Sequence, residues 1–224
     1  MSTHFPYEGF LGDPVAGDAR GSYARYGKRA MDIGLALLIL PLVAPIIALL
    51  WLAVRAQGGG AGFFGHIRVG QGGRAFRCWK IRTMRADAET CLAEHLAANP
   101  AAAAQWAHAF KLDNDPRVTP LGRFLRKSSL DELPQIWNVL RGDMSFVGPR
   151  PIVAAELLRY GGNDVAYLAQ RPGITGIWQV SGRNDLGYDE RVRMDVDYLR
   201  RRAFGLDLVL MLRTLSVVAA GTGK

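Results

Sequence analysis

The chain contains little cysteine and histidine for its length. Its 224 residues include two cysteines and four histidines, none of them in a spacing typical of zinc sites. A disulfide scaffold and a zinc site are therefore not indicated, and the low cysteine content fits a reducing, cytoplasm-facing environment. The glycine-rich stretch 58–73 lacks the P-loop pattern, which argues against a phosphate-binding loop of that type there.

Acidic residues are outnumbered by basic ones, which gives a formal net charge of +8. Such a charge fits three kinds of partner: a nucleic acid, an anionic membrane surface or a phosphorylated substrate. The basic residues surround carboxylates and an apolar segment instead of forming a continuous patch with aromatic platforms. Binding to a nucleic acid is therefore the least favoured of the three.

One long segment, Ile33–Val54, carries no charge over 22 residues. A helix of this length extends ~33 Å, enough for a hydrocarbon core of ~30 Å. Pro41 and Pro45 lie in its middle, where each removes a backbone donor and favours a kink or break.

Both flanks of this segment are basic, with Lys28 and Arg29 before it and Arg55 after it. Basic flanks prefer the cytoplasmic side of a membrane. A proline-broken re-entrant hairpin at about residues 30–55, entering and leaving by one leaflet, satisfies both observations. A kinked single-pass helix and a buried helix of a soluble core are the alternatives.

The rest of the chain predicts an α+β, mostly helical fold. Residues 1–26 are rich in glycine and proline and predict an extended tail, and residues 27–224 predict a single compact domain. Short β-prone runs occupy Phe63–Val69 and Ala75–Ile81, and a helix bent near Pro100 is expected over 86–110.

Two helical segments are expected near the C-terminus. The first is amphipathic. Asp195 lies on its polar side, and its apolar face comprises Val192, Val196, Leu199 and Ala203. The second, 204–220, is mostly apolar and follows three arginines. It suits either an interfacial helix whose arginines reach lipid phosphates or a helix packed in the core.

The densest polar signal lies within 115–135, where several cations precede the adjacent carboxylates Asp131 and Glu132. Arginines that hold phosphate oxygens, with carboxylates that help to hold Mg²⁺, are the groups that phosphoryl transfer requires. A helix is expected from Gln135, which places the acids near its N-terminus. The same residues also match a capping box running from Ser129 to Glu132, a purely structural alternative.

Two later stretches add to this signal. Gly148–Pro151 places Arg150 between prolines and so presents its guanidinium from a stiff turn suited to a diphosphate. Pro172–Arg183 is glycine-punctuated and ends in Arg183, where backbone N–H groups and Trp178 suit a nucleotide pocket. A plain hairpin with a core tryptophan is the alternative.

Together these motifs resemble the bacterial sugar transferases, the monotopic polyprenyl-phosphate phosphoglycosyl transferases that start exopolysaccharide, capsule and O-antigen assembly. The resemblance covers about Lys28 to Thr214. Besides the basic pair and the proline-broken apolar segment, it rests on these runs: Trp79–Met84, Ser129–Gln135, Asp143–Pro151, Arg171–Gly176.

The resemblance implies a two-step transfer at the cytoplasmic face of the bacterial inner membrane. Asp131 would attack the β-phosphate of a UDP-sugar and release UMP, and undecaprenyl phosphate would then take the sugar phosphate. Glu132 would join Asp131 in holding Mg²⁺, and Arg126, Arg150 and Arg183 would bind phosphates. Membrane lipids are the other expected partners, and a homo-oligomer is left open.

Some features depart from the family pattern. Ala44 replaces a serine that often precedes the proline of the break, and Ser128 replaces a threonine. We expect no large N-terminal membrane domain, so the expected likeness is to the short exopolysaccharide members, for which galactose or glucose is the expected sugar. A membrane lipid-diphosphate phosphatase and a non-enzymatic basic membrane scaffold are the alternative functions.

Overall fold

The computed structural model describes residues 22–57, 60–109, 112, 114–181 and 186–219. Within these ranges the chain is mostly helical with two small sheets, which confirms the predicted α+β class. The helices are α1 Lys28–Ala56, α2 Ala88–Ala98, α3 Pro100–Ala109, α4 Pro120–Lys127, α5 Gln135–Arg141, α6 Ala154–Leu157, α7 Asp164–Leu168, α8 Ile177–Val180, α9 Tyr188–Arg201 and α10 Phe204–Ala219. The strands are β1 Phe63–Val69, β2 Ala75–Ile81, β3 Ser145–Val147 and β4 Gly173–Thr175.

A π-helical turn, Tyr23–Gly27, leads directly into α1. The predicted extended tail, residues 1–26, lies mostly outside the described residues, but its last residues are helical instead of extended. Helical structure is continuous from Tyr23 to Ala56, and this is the one described helix long and apolar enough to cross a membrane.

The prolines predicted to break the apolar segment do not interrupt α1. Pro41 and Pro45 both lie inside it, and the helix continues to Ala56. A proline removes one backbone donor and favours a bend, but the hydrogen bonds of the flanking residues allow the helix to continue. Of the kink or break predicted at the two prolines, a break is therefore absent from α1.

Both halves of α1 pack on the rest of the protein. Ala36 is fully buried beside Ile136 and Val139 of α5, and Val54 packs with Ile81 and Leu125. The opposite side of the helix is an exposed apolar surface made by Leu37, Leu38, Leu42, Leu49 and Leu52.

The two predicted strands form an antiparallel hairpin with the predicted bounds. Phe63 pairs with Ile81 at one end, and Val69 pairs with Ala75 at the other. The connecting turn contains Gly72 and Gly73, both with positive φ angles that glycine adopts without strain. The hairpin packs through β2 against α5 and α1.

The described part of this stretch, 172–181, does not form the hairpin that was one of its two interpretations. β4 pairs in parallel with β3, and the short helix α8 follows it. Trp178 is buried, with the Arg191 guanidinium 4.9 Å from its ring centre. Trp178 is therefore a core residue, as the alternative interpretation expected, and it is not among the residues that line the cleft described below.

Helix α9 confirms the predicted amphipathic helix but corrects its faces. Asp195, expected on the polar side, is buried, and the Tyr160 hydroxyl donates a hydrogen bond to it at 2.8 Å. Ala203, expected on the apolar face, lies beyond the end of α9 and is exposed.

Helix α10 is joined to the start of α1 by a buried polar cluster. The fully buried carboxylate of Asp207 accepts hydrogen bonds from Lys28 Nζ at 2.7 Å, Tyr23 Oη at 2.6 Å and Tyr198 Oη at 2.7 Å. This contact confirms that one side of α10 packs on the domain, as one of the two alternatives expected. The other side exposes apolar side chains, which are Phe204, Leu208, Val209, Leu212 and Leu215.

Candidate active site

The adjacent carboxylates lie in a short 3₁₀ turn, Leu130–Glu132, between α4 and α5. Ser129, just before it, has a φ of 57° and makes no side-chain hydrogen bond to the turn. The capping-box interpretation is therefore wrong: the Glu132 carboxylate accepts a hydrogen bond from Lys80 Nζ at 2.6 Å instead.

Asp131 is the more enclosed of the two acids. Its residue surface is 7% exposed, and its Oδ2 lies 3.9 Å from Lys80 Nζ. Burial raises the pKa of Asp131 to about 6; the Lys80 ammonium opposes this shift, and the Glu132 carboxylate adds to it. Proximity to these groups gives Asp131 an environment unlike that of a solvated surface aspartate.

Lys80 is a site residue that the sequence interpretation missed. It stands on β2 opposite Phe64 and reaches both carboxylates. The Trp79–Met84 run contained it, but nothing in that run indicates which distant acid its ammonium contacts. A lysine between apolar positions of a strand was the available signal.

The three predicted phosphate-binding arginines have different outcomes. Arg126 lies on the Asp131 side of the site, where its Nε donates to Thr83 Oγ1 at 2.9 Å and its charge lowers the pKa of Asp131. Arg150 is exposed on the wall of the cleft that holds Glu132. Arg183 lies outside the described residues.

An open cleft brings Arg150 together with Lys80, Glu132 and a further cation, Arg68. Burial and the neighbouring Arg150 charge both lower the pKa of Arg68, and its nearest carboxylate is Glu156 at 3.7 Å. Like charges held beside one another favour an anion between them. The remaining lining residues are Cys78, Gln135, Pro151, Gly173, Ile174 and Gln179.

The carboxylates fit Mg²⁺ only in company with a phosphorylated ligand. In the described part of the chain, no three or more His, Cys, Asp or Glu side chains lie close enough together to hold a metal ion, so those residues form no all-protein cage. Mg²⁺ is nevertheless usually bound by one or two protein carboxylates, and water and phosphate oxygens fill its remaining coordination positions. Pro41 and Pro45 are exposed on α1 and are not among the cleft residues.

Comparison with known proteins identifies relatives of this chain. The family model described as "Bacterial sugar transferase" matches residues 23–221. The undecaprenyl-phosphate galactose phosphotransferase of Salmonella typhimurium is 48% identical over 200 residues, which cover 89% of this chain and 42% of that protein. The chain thus spans about two fifths of that relative's length.

Two further relatives extend this likeness. The exopolysaccharide production protein ExoY of Rhizobium meliloti is 45% identical, and the match covers 88% of this chain and 87% of that protein. The UDP-glucose:undecaprenyl-phosphate glucose-1-phosphate transferase of Escherichia coli is 37% identical, with 84% of this chain and 39% of the relative covered. The chain therefore belongs to the bacterial sugar transferase family.

Proposed function

We propose that this protein transfers a hexose-1-phosphate from a UDP-sugar to undecaprenyl phosphate, giving undecaprenyl-diphosphate-sugar and UMP as the first step of exopolysaccharide assembly. The observation that carries the proposal is the enclosed Asp131 carboxylate beside Glu132 and Lys80, next to a cleft lined by cations. Galactose is the first sugar to test, because relatives from Salmonella typhimurium and Erwinia amylovora are named for it. Glucose, named for the Escherichia coli relative, is the second.

In the first step an Asp131 carboxylate oxygen attacks the β-phosphorus of the UDP-sugar. A bond forms between this oxygen and phosphorus, and the bond from that phosphorus to the oxygen bridging the two phosphates breaks. UMP leaves with the bridging oxygen, and the sugar phosphate remains as a mixed anhydride on Asp131. No proton transfer is needed when the carboxylate is ionised.

In the second step a phosphate oxygen of undecaprenyl phosphate attacks the same phosphorus and releases the Asp131 carboxylate. Lys80 holds Glu132 in place and supplies positive charge beside the reacting group. When bound, Mg²⁺ supplies charge neutralisation for the phosphate oxygens, and Asp131 and Glu132 are the residues that would hold it. Arg68 and Arg150 suit the diphosphate, because guanidinium groups bind phosphate oxygens in pairs.

We place the protein at the cytoplasmic face of the bacterial inner membrane, with α1 as a re-entrant helix. Both ends of α1 contact the same domain: Lys28 binds Asp207, and Val54 packs with Leu125. A straight 29-residue helix would extend ~44 Å, so in a simple membrane crossing one end would lie far from the domain. The exposed leucines between these ends supply a surface for acyl chains.

UMP release tests the function directly. The purified chain in lipid nanodiscs is given UDP-galactose or UDP-glucose, with and without Mg²⁺ and undecaprenyl phosphate. We expect UMP and a lipid-linked sugar from the wild type, and a loss of at least ~1,000-fold in Asp131→Asn, because a nucleophile has been removed. Asp197→Asn, at an exposed aspartate that pairs with Arg201, should keep the wild-type rate.

Other outcomes separate the alternative functions. Inorganic phosphate released from a lipid diphosphate without any nucleotide would indicate a phosphatase. If Asp131→Asn retains the wild-type rate of UMP release, the covalent role of Asp131 is wrong. A wild type inactive with every UDP-sugar would leave the scaffold as the better account.

A further inference from the structure

Asn138 is a fully buried polar residue on α5 whose side chain binds the backbone of another element. Its Oδ1 accepts a hydrogen bond from the Trp79 backbone N–H at 3.0 Å, and its Nδ2 donates to the Arg77 carbonyl oxygen at 2.8 Å. These two backbone groups flank Cys78 on β2. The amide therefore forms the paired hydrogen bonds that a neighbouring strand would otherwise form.

The position of this contact on β2 matters. One edge of β2 pairs with β1, and the Asn138 amide takes the opposite edge. Side chains two residues apart on a strand point to the same face, and Cys78 and Lys80 accordingly line the same cleft. Fixing the backbone on both sides of Cys78 fixes the position from which the Lys80 side chain extends.

The other end of the contact is tied to the carboxylates. Asn138 stands on α5, the short helix that directly follows the turn holding Asp131 and Glu132. The same Nδ2 also donates to Asp143 Oδ2 at 3.2 Å, and the Asn138 carbonyl accepts from the Asp143 and Met144 N–H groups. The residue is thus held at the end of α5 as well as on β2.

We propose that Asn138 is a positioning residue that sets Lys80 against Glu132 and Asp131. The inference rests on the proposed transferase function for its catalytic consequence, but its structural content stands apart from that function. The Lys80 ammonium lies 2.6 Å from Glu132 and 3.9 Å from Asp131. Both contacts lengthen if β2 moves relative to α5. Displacements near 1 Å can reduce reaction rates ~100-fold.

The test compares Asn138→Ala with Val139→Ala in the full chain in nanodiscs. Val139 is equally buried on the same helix, but its side chain lies in the apolar core, so its truncation weakens packing without freeing β2. The first readout is the rate at which an amine-acetylating reagent modifies Lys80, followed by peptide mass spectrometry. We expect a several-fold rise in Asn138→Ala and no rise in Val139→Ala.

The second readout is kinetic. In Asn138→Ala we expect kcat for UMP release to fall ~10- to 100-fold while KM for the UDP-sugar stays within about twofold, because orientation is lost and substrate contacts are kept. In a Lys80→Met background the same substitution should cost little more, since residues that act through one another are non-additive. Asn138→Asp keeps the acceptor for Trp79 but places a buried oxygen against the Arg77 carbonyl and the Asp143 carboxylate, so its loss should be at least as large as that of Asn138→Ala.

The outcomes decide the proposal separately from the function. Unchanged Lys80 acetylation in both Asn138 variants overturns the positioning role, whatever the activity. Fully additive kcat losses in the Lys80→Met background overturn the claim that Asn138 acts through Lys80. If the wild type releases UMP from no UDP-sugar, the proposed function fails while the acetylation rates still decide the positioning.

Discussion

Asp195 shows how strongly one buried carboxyl group is influenced by its surroundings. It is 3% exposed, and the Tyr160 hydroxyl donates to it at 2.8 Å. The Tyr160 ring lies 5.2 Å from that of Tyr167 and 6.1 Å from that of Tyr188. Burial raises the pKa of Asp195 to about 7, and the hydrogen bond from Tyr160 opposes this shift.

This environment predicts a pH-dependent stability. The folded state holds a proton on Asp195 up to about pH 7, whereas the unfolded chain loses it near pH ~4. The folded state thus binds more protons between these values, so the free energy of unfolding should fall as pH rises from ~4 to about 7, by ~1.4 kcal/mol per pKa unit of difference, and then level off.

Thermal unfolding at pH 5 and pH 8 measures this effect. Asp195→Asn, which does not titrate, should lose the Asp195 contribution and gain stability relative to wild type at pH 8. Asp197→Asn, at an exposed position, should follow the wild type at both values. An unaltered pH dependence in Asp195→Asn would rule out Asp195 as its source.

The sequence predicted the carboxylate pair but not its lysine. Asp131 and Glu132 are adjacent and lie in a run rich in arginine, so their local composition indicated the chemistry. Lys80 is separated from Glu132 by 52 positions, and only strand pairing and packing bring them together. The burial of Asp195 was missed for the same reason, since its partner Tyr160 is 35 positions away.

At the scale of elements, the close packing of α4 against the segment after β2 depends on a glycine. Gly122 faces the backbone of Thr83, and a β-carbon there would collide with the Thr83 carbonyl oxygen. That oxygen also accepts a hydrogen bond from the Thr119 N–H at 3.1 Å. The close approach brings Arg126 of α4 within hydrogen-bonding distance of the Thr83 side chain.

Gly122→Ala should therefore separate α4 from the segment after β2. We expect a loss of ~1–3 kcal/mol in the free energy of unfolding, as for other overpacked positions, and a lower rate of UMP release because Arg126 moves with α4. Gly205→Ala is the matched control: it lies in α10 with open space around it and should be neutral or stabilising by up to ~1 kcal/mol. Equal stability of the two variants, measured by thermal unfolding in detergent, would contradict the proposed close packing.

Elements with local signals were predicted well, and those that depend on packing were not. Short β-prone runs predicted both strands of the hairpin, and Pro100 marked the division between α2 and α3. The prolines of α1 predicted a kink or break, and a hairpin was one of two interpretations of the stretch that begins at Pro172, but the structure has a continuous helix and a strand followed by α8. Proline and glycine permit such irregularities without requiring them.

For the whole molecule, the path of α1 decides how the domain meets the membrane. We expect both ends of the helix on the cytoplasmic side, so single cysteines at Tyr26 and Gln57, both exposed, should react with a membrane-impermeant maleimide only from that side. A cysteine at Leu42, which is 70% exposed, should resist the reagent from either side because lipid covers it.

The background for this experiment is Cys91→Ser, since Cys78 is buried and Cys91 is partly exposed. Right-side-out and inside-out vesicles supply the two faces. If Tyr26 and Gln57 react from opposite sides, α1 crosses the membrane and the re-entrant path is wrong.

The contact between Lys28 and Asp207 has a consequence for biosynthesis. The lysine stands at the start of the apolar helix, and its carboxylate partner is translated 179 positions later. In the proposed membrane placement, α1 therefore enters the bilayer before the carboxylate that pairs with its ammonium has been synthesised. A nascent chain stalled before Asp207 should accordingly lack the buried contact that joins the start of α1 to α10.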